Sequence, residues 1–162
     1  MENKQIIFNV GNEEYGIDIL RVHEIENMSN VVRIPNAPEC IMGIMHLRGE
    51  VIPIYNLREK FNIADDVKKS LGDNEDDVDK LVIVSVDNVK IGFLVDKVKE
   101  IVELNDSEIY NTPKIVKNEE TSYISKVACI DGKIIILLNV DTIIKRDDLN
   151  DISDMIDSVS EK

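Results

Sequence analysis

Residues 6–25 reappear 76 positions further along the chain: Val10, Asn12, Gly16, Val22, Glu24 and Ile25 stand against Val86, Asn88, Gly92, Val98, Glu100 and Ile101. A second match, at an offset of 83, sets Gly49-Glu50-Val51-Ile52-Pro53-Ile54 against Gly132-Lys133-Ile134-Ile135-Ile136-Leu137, so both halves carry the same order of elements. Such a repeat within 162 residues predicts two lobes of similar topology. Each lobe is too small to bury a comfortable core alone, so the two are expected to share one.

The repeated segments read as strands. Tyr15-Gly16-Ile17-Asp18-Ile19 alternates with period two, and Gly11-Asn12-Glu13-Glu14 ahead of it is turn chemistry. Leu81–Val86 and Val89–Val95 flank Asp87-Asn88 as a second hairpin. With no Trp, three Phe and four Tyr, the core has to be aliphatic and largely β-branched, which favours strands again. A third hairpin is centred on Arg48-Gly49-Glu50, with Gly43 and His46 before it and Val51 to Arg58 after it. Pro53 brings no N–H to a ladder, so an open edge is expected at that strand. One helical turn is expected over residues 39–45, and a switch to helical period over Asn56 to Phe61. Gly16 and Gly92 are expected to play matching roles where a strand bends or is closely approached.

Charge narrows the partners. The formal net charge of −13 argues against nucleic acid and anionic lipid, both of which need basic surface, and fits protein partners with basic patches. No apolar run reaches about 18 residues, so direct membrane insertion is not expected and the cytoplasm is the expected location. Cys40 and Cys129 match no zinc or CxxC spacing and read as two reduced, core-like thiols. Residues 65–79 hold seven acids and two lysines, which predicts a solvated linker, dispensable for folding. The register of a calcium loop is absent there. From Val140 onward the period becomes helical, with Leu149, Ile152, Met155, Ile156 and Val159 on one face and a packing helix expected over about 147–160.

Chemistry-bearing constellations are missing from this pattern. His23 and His46 stand far apart with no carboxylate or Cys at ligand spacing. Gly11 and Gly16 have phosphate-loop spacing without the Lys and Ser/Thr that hold phosphate and Mg²⁺. No serine lies in a Gly-x-Ser-x-Gly elbow. Hence no catalytic, cofactor-binding or metal residues are expected, and the chain does not read as an enzyme.

Phe8 to Ile19, Val22-His23-Glu24-Ile25, Arg33 to Pro38, Gly43, Leu47-Arg48-Gly49-Glu50-Val51-Ile52-Pro53 and Asn56-Leu57-Arg58 together resemble the bacterial chemotaxis coupling protein CheW family over residues 6–145. The resemblance implies a mostly β fold of two SH3-like five-stranded β-barrels sharing a core, with short helices and a C-terminal helix. Within one CheW-like domain spanning 1–162, it places lobe one at about 15–64 with part of the N-terminal strand and tail, and lobe two at about 80–140. It further implies a non-catalytic adaptor between the cytoplasmic tips of chemoreceptors (methyl-accepting chemotaxis proteins) and the regulatory domain of the histidine kinase CheA, recruited to membrane receptor arrays. Val22, Glu24, Arg48, Gly49, Leu57 and Arg58 are the implied partner-binding residues, with Glu24 holding Arg48 ready and Val22 and Leu57 supplying apolar contact. His46, Asn56 and Lys126 depart from the usual family residues.

Three other readings start from the same residues. The chain could be a CheW-like regulatory domain of a larger kinase or of a CheV-type protein, a structural homo-oligomer pairing through barrel edges, or a small enzyme whose catalytic group the sequence does not display.

Overall fold

The computed structural model describes residues 3–63, 79–111 and 123–160. Eleven strands run through them in two antiparallel-rich sheets. The first half contributes β1 (Asn3–Val10), β2 (Glu13–Asp18), β3 (Val22–Asn27), β4 (Ile41–Leu47) and β5 (Glu50–Asn56), then the short helix α1 (Leu57–Lys60). The second contributes β6 (Lys80–Val86), β7 (Val89–Val95), β8 (Lys97–Leu104), β9 (Ile109–Asn111), β10 (Ile124–Ile130) and β11 (Lys133–Leu138), and the chain ends in α2 (Arg146–Ser160).

One sheet has the order β3-β6-β7-β5-β4 and the other β8-β1-β2-β11-β10-β9. Each sheet therefore takes its first hairpin from the opposite half of the repeat: β6–β7 stands with β3 to β5, and β1–β2 with β8 to β11. The exchange is symmetric in register. Gly92 pairs with Ile54 across the parallel β5–β7 ladder, and Gly16 pairs with Leu137 across the parallel β2–β11 ladder. Even the bulges repeat: the ladders skip His23 in β3 and its counterpart Lys99 in β8, and skip Met42 in β4 and its counterpart Ser125 in β10.

Each sheet closes on itself. After β3 the chain returns to β4, where Val32 and Ile44 exchange backbone hydrogen bonds of 2.8 and 2.9 Å. After β8 it returns as β9 and pairs with β10. Two barrels result, the sixth strand of the second sheet being the longer counterpart of the Val32 bridge.

Both faces of these strands are covered, which explains their unbroken apolar runs. Ile52, Ile54, Met45, Leu81 and Ile83 fill the first barrel, and their repeat counterparts Ile135, Leu137 and Ala128, with Ile7, fill the second. The intervening residues, among them Phe8, Ile17, Val84 and Phe93, meet in one shared core between the barrels. Helix α2 closes that core with Leu149 and the fully buried Ile152. Three hairpins turn on two residues that both have positive φ, Arg48-Gly49, Asp87-Asn88 and Asp131-Gly132, the geometry that matches strand twist.

Several local expectations are corrected. Residues 41–45 belong to strand β4, not to a helical turn, because Ile41 and Gly43 to Leu47 find partners on β5. The strand carrying Pro53 is internal, between β4 and β7. It tolerates proline because the ladder to β7 begins only at Ile54. Cys40 is buried but Cys129 is exposed, since its side of β10 faces away from the barrel interior that holds Ala128. What approaches Gly16 and Gly92 is a side chain: an added Cβ would meet Leu137 Cδ2 at 2.9 Å and Ile54 Cδ1 at 3.2 Å. The expected acidic linker falls almost wholly on residues 64–78, outside the described residues.

Candidate functional site: the Arg48 corner

β3 and β4 are the two edges of the first sheet, and Arg48 spans the gap between them. Its backbone is fixed by the β4–β5 turn at φ 50°, a conformation unusual for a residue with a side chain, and Gly49 follows at φ 82°. From that tip the guanidinium donates from Nη1 to Glu24 Oε2 and from Nη2 to Glu26 Oε1 at 2.8 Å. Glu24 and Glu26 lie two residues apart on β3 and so share a face. The hydrogen bond from Arg48 holds the Glu24 carboxyl below its ordinary range and raises the guanidinium in turn. Arg48 nevertheless keeps 67% of its side-chain surface in solvent. It is thus oriented without being enclosed.

Gly49 and His46 also border a groove of about 600 Å³ between the β4–β5 tip, the β6–β7 tip and the far half of α2, where Ser153 and Ile156 form the opposite wall. Lys90 and Glu50 form an ion pair of 2.9 Å inside it. Arg146 at the start of α2 pairs with Asp87 of the β6–β7 turn, tying the helix to this end of the barrel.

The six residues expected to face a partner divide into two sets. Arg48, Gly49 and Glu24 stand together at the corner, and Val22 begins the same strand, half-buried against the shared core. Leu57 is fully buried in that core and Arg58 is 8% exposed, so neither offers a partner any useful surface. Leu57 is inside because the first turn of α1 caps the core. Arg58 is inside because two carboxylates meet it there. Its Nε donates to Asp96 Oδ1 at 2.5 Å and its Nη2 to Asp79 Oδ1 at 2.9 Å, while Asp96 Oδ2 accepts from the Gly11 N–H at 2.7 Å. That cluster fastens the β7–β8 crossover. At the other crossover, β2 to β3, Arg21 forks onto Asp141 with 2.8 and 2.6 Å contacts. Asp141 is the repeat counterpart of Arg58, so each crossover is held by an ion pair that involves this repeat position, although the partners Arg21 and Asp96 are not themselves counterparts.

Sequence reasoning missed Glu26, although its spacing from Glu24 carries the period-two signal of a shared strand face. It also missed Asp96 and Asp79 as the acceptors of Arg58, which no local pattern announces. Among the described residues, no group of His, Cys, Asp and Glu is arranged to hold a metal ion.

A sequence model of the CheW-like domain matches residues 4–148, nearly the whole chain. The chain belongs to that family. It is 31% identical over 144 residues to the chemotaxis protein CheW of Klebsiella aerogenes, covering 89% of this chain and 82% of that one. Against the chemotaxis protein CheW of Treponema pallidum the identity is 27% over 150 residues, covering 93% and 86%. The crystal structure of the scaffolding protein TtCheW from Thermoanaerobacter tengcongensis superposes with a TM-score of 0.76 at 31% identity, covering 90% of this chain and 89% of that one. The mostly β, two-barrel fold implied by the CheW resemblance is the fold found. No helix among the described residues is long and apolar enough to cross a membrane.

Proposed function

We propose that this protein is a chemotaxis coupling adaptor of the CheW type, joining the cytoplasmic tips of chemoreceptors to the regulatory domain of the kinase CheA in the cytoplasm, and recruited by them to receptor arrays. The family supports the class of function, and the Arg48 corner supports the placement of a contact. A mostly solvent-exposed guanidinium on a positive-φ turn, steadied by Glu24 and Glu26, has its planar head pre-oriented for pairing. Arginines of this kind are favoured anchors in protein interfaces. In this reading Arg48, Gly49, Glu24 and Val22 form the contact, and Leu57 and Arg58, at the other end of β5, serve the fold instead. The role is that of a scaffold, with recognition rather than turnover as its chemistry.

The test is co-sedimentation of the purified protein with receptor-containing membranes and kinase, scored by kinase activity. Stimulation that requires all three components is expected. Kinase activity unaffected by the protein, or turnover by the protein alone, would overturn the reading.

A further inference from the structure

The barrels are related by the repeat, yet they differ at the corner where the first barrel carries its arginine. The counterpart of Arg48 is Asp131 at the β10–β11 tip, the counterpart of Glu24 is Glu100, and the counterpart of Glu26 is Val102. The span that Arg48 bridges from within is here left as a cleft of about 240 Å³ between β8 and the β10–β11 tip. Its floor is apolar, formed by Ile7 and Ile135. Asp131 and Glu100 stand exposed at its rim, and among the described residues no hydrogen bond holds either carboxylate, although Lys99 attracts Glu100 electrostatically. The other acid of the cleft, Glu14, is already engaged by Lys99 at 2.5 Å, and Lys133 stands beside Asp131 on the strand leaving the turn.

We infer that this cleft is a socket for an arginine side chain presented by a protein partner, taking the place that Arg48 fills in the first barrel. Two independent observations meet here. The space and two rim carboxylates that no hydrogen bond holds are one. The other is that the same backbone corner, with the corresponding glutamate, grips a guanidinium elsewhere in this very chain. Arginine suits it better than lysine, because the planar head can lie across an apolar floor while its fork addresses two carboxylates. An anionic or purely apolar side chain would leave Asp131 and Glu100 repelling it or unpaired. The surface belongs to the second barrel and does not depend on the Arg48 corner.

The experiment is an amide NMR titration of the full chain with N-acetyl-argininamide, set against its neutral isostere N-acetyl-citrullinamide. The arginine probe is expected to give saturable shifts at Gly132 and along residues 99–102, at least about threefold stronger in association than the citrulline probe. Replacing both acids, Glu100→Gln with Asp131→Asn, is expected to erase that difference. Asp131→Arg should remove the response by filling the socket from the chain's own turn, whereas Asp154→Arg, the same change of charge on the exposed face of α2, should leave it intact. Equal shifts with both probes, no saturable shift, or a response that survives the double replacement would overturn the inference.

Discussion

Arg48 Nη2 lies 2.8 Å from Glu26 Oε1, so the turn of one edge strand is pinned to the other edge strand of the same sheet. The second glutamate, Glu24, completes a fork in which a single arginine addresses two carboxylates on one strand face. Exposed pairs of this kind add little to stability, so the fork is better suited to positioning a side chain than to holding up the fold. Arg48→Ala is therefore expected to fold with an unchanged circular dichroism spectrum and a nearly unchanged denaturation midpoint. Recruitment of receptor or kinase should weaken by about tenfold or more. Wild-type affinity for both partners at matched salt would show that the contact lies elsewhere.

The same fork sets a pH dependence. Glu24 titrates below the ordinary glutamate value of about 4.3 because Arg48 donates to its charged form. A depressed carboxyl contributes above its unfolded pKa and loses that contribution as pH falls through the lower folded value. The Arg48 head should thus stay ordered at neutral pH and come free only in acid, as Glu24 takes up its proton below the ordinary glutamate range. A carbon-detected NMR titration of Glu24 should show its midpoint moving up toward the ordinary glutamate range in Arg48→Ala; an unmoved midpoint would remove Arg48 as the cause.

Arg58 should behave in the opposite way, as a residue of stability. Removing one partner of a buried ion pair leaves an uncompensated charge, at a loss of about 3–5 kcal/mol. Arg58→Ala is expected to lower the denaturation midpoint severely, through Asp96 and the Gly11 turn that Asp96 also holds. A loss below about 1 kcal/mol would mean that the cluster is solvated in solution.

Gly16→Val and Gly92→Val should each destabilise by more than about 1 kcal/mol, by overpacking a parallel ladder at equivalent places. Gly16 is the more sensitive of the two, since Leu137 stands at 2.9 Å from an added Cβ and Ile54 at 3.2 Å from the other. Equal midpoints for wild type and both variants, by urea unfolding, would refute the close approach.

Trimming the acidic segment that starts at Asp65, while keeping Asp79, is expected to leave stability nearly intact, since closure entropy grows only logarithmically, by about 0.6 kcal/mol per doubling of length. Asp79 must stay because its carboxylate pairs with Arg58 and its carbonyl accepts from the Met28 N–H at 2.9 Å. A large loss of melting temperature would show that the removed residues pack.

Local chemistry sufficed for the hairpins and the repeat, because period-two patterning and two-residue turns are written in neighbouring residues, whereas the two-barrel class came from the resemblance to the CheW family. It also sufficed to single out Arg48 and Glu24, by motif, and the helical face of α2, by period. Which hairpin joins which sheet was not legible, since β1–β2 and β6–β7 are near copies and pattern alone fits either beside β3 or β8. Packing across the shared core decides that exchange. Burial was equally beyond the local signal: Leu57 and Arg58 share a motif with Arg48, but whether a residue faces water depends on what folds over it. Here α1 caps the shared core, and Asp96 arrives from 38 residues away to neutralise an arginine that could not otherwise be buried. Most of the elements and their order follow from neighbouring residues, the start of β4 excepted; long-range pairing decided which charges are clasped inside and which, like Arg48, stay in reach of a partner.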